Sequence, residues 1–151
     1  MAGGNILLKG YTAAIANVLT TELNTLTDGN VTALGPEQTN TALDMVADFQ
    51  LDLASLTITA ATAFCYLYIV PSIDGTNYPD FSSGATANYH AAYMVATFLL
   101  KNVTTTTARA NVSAVPLPPG KFKVALRNGT GASLAGSGNT VGIRAYAASY
   151  T

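Results

Sequence analysis

Asp48-Phe49-Gln50-Leu51-Asp52-Leu53-Ala54-Ser55-Leu56-Thr57-Ile58-Thr59 is the stretch on which the fold turns. Phe49, Leu51 and Leu53 alternate with Asp48, Gln50 and Asp52, a period of two that belongs to a strand with one buried face. The phase slips at Ala54-Ser55, after which Leu56 and Ile58 alternate with Thr57 and Thr59. Such a slip predicts a bulge, or a strand that crosses from one sheet to another.

Working outward, residues 63–70 are almost continuously apolar, with Phe64, Tyr66 and Tyr68 on one face and Cys65, Leu67 and Ile69 on the other. That pattern predicts a strand covered on both sides, and residues 93–100 read the same way. Residues 108–115 and 121–128 alternate more cleanly, with Phe122, Val124 and Leu126 inward and Lys121, Lys123 and Arg127 outward. Residues 140–148 supply a last strand. Turn residues separate these runs at Asp74-Gly75-Thr76-Asn77, at Ser82-Ser83-Gly84 and at Pro116-Leu117-Pro118-Pro119-Gly120, while residues 129–138 read as a mobile loop. Upstream, Ile15, Val18, Leu19, Leu23 and Leu26 recur at spacings of three and four, which predicts a helix over residues 11–26, stopped by Asp28-Gly29-Asn30. The expectation is an all-β, jelly-roll-like antiparallel β-sandwich with one N-terminal helix. Residues 1–10 form an arm and residues 11–151 a single domain.

A chain of 151 residues can bury one sufficient core without a disulfide. The single cysteine, Cys65, lies in an apolar run and reads as a small buried hydrophobe. Met1-Ala2-Gly3-Gly4-Asn5 lacks the basic and long apolar regions of a secretory signal, and no apolar run reaches the length of a membrane span. Synthesis and retention in the cytoplasm until something releases the protein are expected, without a membrane partner. Charged residues make up only 10% of the chain, against about 25% in an average soluble domain. Thr, Ser, Asn, Gly and Ala must cover the surface instead, and Thr suits a half-exposed strand. With a formal net charge of −1, little repulsion keeps copies apart, so extensive protein–protein contact and a homo-oligomer are expected. Every acidic residue precedes position 81, whereas all the basic residues except Lys9 follow position 100. In a sandwich whose late strands lie beside its early ones, these charges can meet within one chain. So few bases do not make a nucleic-acid surface.

Catalysis needs titratable groups that converge, and the chain has one His and one Cys. Asp80, Ser82, Ser83 and His90 contain the residue types of a hydrolytic triad but lack the strand-to-helix elbow around the serine. No enzyme activity, small-molecule substrate, cofactor or catalytic residue is expected. Asp74, Asn77, Tyr78 and Asp80 form the best candidate ligand loop, since two carboxylates and an amide oxygen lie close together, as calcium prefers. The competing reading is a plain turn built on Asp74-Gly75. No metal ligand set is assigned. Residues 128–139 are similar at first sight to a phosphate-binding loop, yet they lack its lysine and its helix. Asn30, Asn102, Asn111 and Asn128 begin Asn-X-Ser/Thr triplets that a chain rich in Asn and Thr produces by chance.

Three segments carry a resemblance. Ala47-Asp48-Phe49-Gln50-Leu51, Tyr68-Ile69-Val70-Pro71-Ser72-Ile73-Asp74-Gly75-Thr76-Asn77-Tyr78, and Pro118-Pro119-Gly120-Lys121-Phe122-Lys123-Val124-Ala125-Leu126-Arg127-Asn128-Gly129-Thr130-Gly131 followed by Ser137-Gly138-Asn139-Thr140 resemble tailed-bacteriophage virion structural proteins. The similarity extends over about residues 11–145 and rests on strands and turns. It implies a capsid decoration or cement protein, a jelly-roll that binds the outer shell of the virion and clamps adjacent capsomers. Under that reading the arm, through Asn5, Ile6, Leu7, Leu8 and Lys9, contacts the major capsid protein. Edge strands and tyrosines contact sister subunits. A tail or connector position in the virion is a variant of the same reading. A carbohydrate-binding jelly-roll module is the alternative from another class, because the segment from Ser72 to Tyr78 also resembles a turn in such modules.

Overall fold

Strands account for nearly all the regular structure of the computed structural model, which describes residues 6–8, 11, 14–58, 62–85, 91–146 and 148–150. In chain order they are β1 (Ile6–Leu8), β2 (Ala16–Leu19), β3 (Gln38–Asn40), β4 (Val46–Ile58), β5 (Ala63–Pro71), β6 (Met94–Leu100), β7 (Val103–Pro116), β8 (Gly120–Gly129), β9 (Thr140–Tyr146) and β10 (Ala148–Tyr150). Two four-stranded sheets, β2-β9-β4-β7 and β3-β8-β5-β6, pack face to face, and β1 and β10 form a separate ribbon. Every described pairing is antiparallel.

The order has a simple rule. First pairs with last, second with next to last, and so on inward to β5 with β6, as if one long hairpin had been rolled up. That is the jelly-roll, in which each rung lands alternately in the two sheets. The chain is thus an all-β sandwich of the kind its alternating segments predict.

The core lies between the sheets. From β4 come Ala47, Phe49, Leu51, Leu53, Leu56 and Ile58, all buried with Cys65, Leu67 and Ile69 of β5 and Phe122, Val124 and Leu126 of β8. Each fully buried Leu, Ile or Phe contributes roughly 1.5–3 kcal/mol relative to an exposed position. The phase slip in β4 is a bulge, not a sheet crossing: β4 stays beside β7 throughout, with the register shifting between Leu53 and Leu56. Outside β5 and β8, the segment with Val31 and Leu34 covers Tyr68 and Ala125, and Phe81 lies edge-on to Tyr68 at 6.0 Å. The strand over residues 63–70 is therefore covered on its second face at Tyr68, as its composition predicts, while Phe64 and Tyr66 on that face are only half-buried.

Three expectations are corrected. The helix expected over residues 11–26 does not form: Ala16–Leu19 is strand β2 and Thr21–Leu23 a single 3-10 turn, while residues 12 and 13 lie outside the described residues. A register shift between Asn17 and Leu19 against β9 turns both Val18 and Leu19 inward. Two adjacent buried residues, followed by Leu23 in the next turn, imitate a helical stripe. Strand β6 is not covered on both sides; it is the sheet edge, and Leu99 there is 79% exposed. The loop over residues 129–138 folds back onto the sandwich, with Thr130 and Leu134 buried and the Leu134 N–H donating to Leu26 O at 3.0 Å.

Charges meet largely within the chain. Glu37 and Lys121 form an ion pair at 2.9 Å, Arg109 pairs with Asp52 across β4 and β7, and Asp48 stands opposite Arg144 in register. Lys123 lies over the Tyr78 ring, 4.5 Å from its centroid, and Arg127 donates from Nε to Gly29 O at 3.1 Å. Ion pairs this exposed add little to stability and mainly fix register.

Candidate functional site

The connections β3–β4, β5–β6 and β7–β8 are bonded together at one end of the sandwich. Leu117 N–H donates to Met45 O at 3.0 Å, and Ser72 N–H to Lys121 O at 2.9 Å. Two polar side chains shape this end. Asn40, nearly buried, donates from Nδ2 to Asp44 O (2.8 Å) and Pro118 O (3.2 Å) and accepts from Asp44 N–H at 2.9 Å. One strand away, Asp74 Oδ1 accepts from the N–H groups of Thr76 (2.9 Å) and Asn77 (2.7 Å) and from the Ser72 hydroxyl (3.2 Å). Its Oδ2 accepts from Asn77 Nδ2 at 2.7 Å. Gly75, with φ +75°, completes the turn.

What these turns present is apolar. Leu43 is 66% exposed, Met45 65% and Ile73 98%, beside the exposed prolines Pro116 and Pro119. Leu43 sits at φ +54°, a conformation that costs a residue with a Cβ about 1 kcal/mol or more relative to glycine. Backbone strain held by a buried polar anchor, at an exposed leucine, is characteristic of functional surfaces. Ordinary solubility favours neither the strain nor the exposure.

The candidate ligand loop resolves into a turn. Bonds to Asn77, first through its backbone and then its side chain, and to Thr76 hold the Asp74 carboxyl well below the usual carboxylate range. Asp74 and Asn77 are thus brought together, but to cap a turn. Tyr78 swings away and donates to Glu37 Oε2 at 2.9 Å; desolvation first, then this bond, push its phenol up to about 12. Glu37 is lowered by its bonds to Lys121 and Tyr78. Asp80 is exposed and takes no part in the bonds around Asp74. The loop therefore does not present Asp74, Asn77, Tyr78 and Asp80 as one ligand set, and Tyr78 is no open aromatic platform. Of the hydrolytic quartet, His90 lies outside the described residues.

The arm is not free where it is described. Ile6, Leu7 and Leu8 pair with Tyr150, Ser149 and Ala148 of β10, while Asn5 and Lys9 lie outside the described residues. Sequence reasoning missed Leu43 and Met45. The available signal was two large apolar residues standing in a Thr-, Asn- and Asp-rich turn, before the alternation of β4 begins. No protein-family model matches the sequence, and no curated protein matches it either.

Proposed function

We propose that this chain is a tailed-phage virion structural protein that binds the outer surface of the capsid and cements adjacent capsomers. The observation that carries the proposal is the apolar end built from Leu43, Met45 and Ile73, held in shape by Asn40 and Asp74. A preshaped apolar tip on a sandwich with few charges suits many modest contacts repeated over a lattice, where avidity replaces a single strong site. The resemblance to virion proteins runs through the same elements, since Tyr68 to Tyr78 forms the end of β5 and the Asp74 turn. The β1–β10 ribbon, which carries the described part of the arm, stands outside both four-stranded sheets and can serve as a second attachment.

Particles encoded by the same genome, purified on a gradient and analysed by quantitative mass spectrometry, test the reading. The expected result is this chain in fixed ratio to the major capsid protein, falling severalfold in particles carrying Leu43→Ser with Ile73→Ser. Detection of the chain in the lysate but not in the purified particles overturns it.

A further inference from the structure

A cleft of about 290 Å³ opens on the outer face of the β2-β9-β4-β7 sheet, lined by Asp48 and Gln50 of β4 and Asn111 and Ser113 of β7. Its floor follows from strand register. Gly142 of β9, Gln50 of β4 and Asn111 of β7 stand side by side across three strands. Gly142 has no side chain there, and Ile15 takes up the space, lying down against the sheet as one wall of the cleft. A Cβ at Gly142 would come within 2.4 Å of Ile15 Cγ2. Asn111 and Ser113 are exposed on the opposite wall.

The rim is organised by Asp48. Its carboxylate accepts from the Tyr11 hydroxyl and from Ala114 N–H, the latter at 2.9 Å. Ala114 is the strained residue of a bulge in β7, at φ +56°, and the bulge turns its N–H toward Asp48. Desolvation acts to raise the Asp48 carboxyl, yet bonds from Tyr11, Ala114, Tyr146 and Ser113 outweigh it and hold the group below its ordinary range. Tyr11 is fixed further by the Arg144 guanidinium, 4.0 Å from its ring centroid, and by an edge contact with Tyr146 at 5.6 Å. A half-exposed aromatic ring is thereby immobilised before any ligand arrives, which lowers the entropic cost of binding.

The chemistry of the lining selects the ligand. Asp48 and Arg144 offset each other across the cleft, so an ion gains little there. Asn111 offers a neutral amide, Gln50 the part of its amide not engaged by Asp52, which its Nε2 reaches at 2.6 Å, and Ser113 a hydroxyl oxygen whose proton goes to Asp48, while Tyr11 and Ile15 offer an apolar wall. A ligand that satisfies both needs one apolar face and a rim of hydroxyls, and the volume is at the small end for ligand sites. We propose that this cleft binds the pyranose ring of a neutral glycan, stacked on Tyr11 and hydrogen-bonded through Gln50, Asn111 and Ser113. The site lies on the face of the sandwich opposite Tyr78 and is independent of the capsid reading.

Saturation-transfer NMR with the intact chain and the methyl pyranosides of glucose, galactose, mannose and N-acetylglucosamine tests the proposal. At least one of them is expected to bind in the millimolar range. Tyr11→Ala and Asn111→Ala should each weaken it, by about tenfold for the ring, since loss of stacking and its buried area removes about 1.4 kcal/mol. Asn111 is exposed, so its variant remains informative if loss of Tyr11 perturbs the fold. Tyr78→Ala, on the far sheet, should leave binding unchanged. Failure of all four glycosides to bind, binding that survives both cleft variants, binding lost in Tyr78→Ala, or tighter binding of glucuronate than of methyl glucoside overturns the proposal.

Discussion

Asn128 is wholly buried at the end of β8, and its side chain is bonded through both its amide nitrogen and its carbonyl oxygen. Nδ2 donates to Leu26 O and to Ala132 O, each at 2.8 Å, and Oδ1 accepts from Thr130 N–H at 3.0 Å with the Thr130 hydroxyl 2.8 Å away. Asn128→Ala does not orphan all of these groups equally. Leu26 O keeps the Leu134 N–H at 3.0 Å, and the Thr130 hydroxyl, whose one proton has Asn128 Oδ1 and Ala132 O as alternative acceptors, can turn to Ala132 O at 2.9 Å. The Thr130 N–H, in a residue with no exposed surface, loses its acceptor. One stranded buried donor costs about 1–3 kcal/mol, and the weakened carbonyl bonds and the void add to it, giving about 3 kcal/mol in all. That is a large share of the roughly 5–15 kcal/mol by which a domain of this kind is stable. Urea unfolding followed by tyrosine fluorescence measures the loss, and amide exchange at Leu134 reports whether the loop still docks. Thr130→Val, which keeps the N–H but removes the hydroxyl, should cost only about 1 kcal/mol. If Asn128→Ala costs less than about 1 kcal/mol with Leu134 protection unchanged, the side chain is not what holds this loop to the sandwich.

Leu43→Gly should relieve the left-handed strain, raising stability by about 0.5–1 kcal/mol while lowering occupancy on particles; a reduced melting temperature would contradict the strain argument. The depressed Asp74 pKa means that its ionised carboxylate stabilises the fold above the unfolded value of about 3.9 and that this contribution fades as pH falls toward the folded value. The urea midpoints of the wild type and Asp74→Ala should therefore be well separated at neutral pH and converge in strong acid, and a gap that is constant with pH would exclude the linkage. Burial pushes the Cys65 thiol up to about 12, so a thiol reagent should label it only as fast as the protein unfolds. Labelling within the mixing time in native buffer would refute that burial.

Residues buried from one side were legible in the sequence, because alternation along β4 and β8 reports a single inward face directly. Even the slip at Ala54-Ser55 could be read, since both of its flanks keep their own phase. Where the backbone itself departs from regularity the pattern misleads. The bulge in β2 put Val18 and Leu19 on the same side and imitated a helix. Strand β6 reads as doubly covered because Leu99 and Val95 are apolar, yet nothing in their composition says that they stand at a sheet edge. The turn at Asp74-Gly75 was readable from its residue types, whereas its saturation by Thr76, Asn77 and Ser72 depends on geometry. Neither the cleft beside Tyr11 nor the apolar end could be read from spacing, since both gather residues from connections and strands far apart in the chain. The same holds for Asn128, Thr130 and Asn139, buried polar residues that a composition rule assigns to a solvated loop.

The rolled hairpin also sets the order in which the molecule can be born. On the ribosome β2 emerges early but must wait for β9, and β4 for both β7 and β9, so the outer rungs close only after most of the chain has been translated. The β5–β6 pair has the least to wait for and is the natural place for folding to start, with zippering toward both ends and a rate limited by these distant pairings.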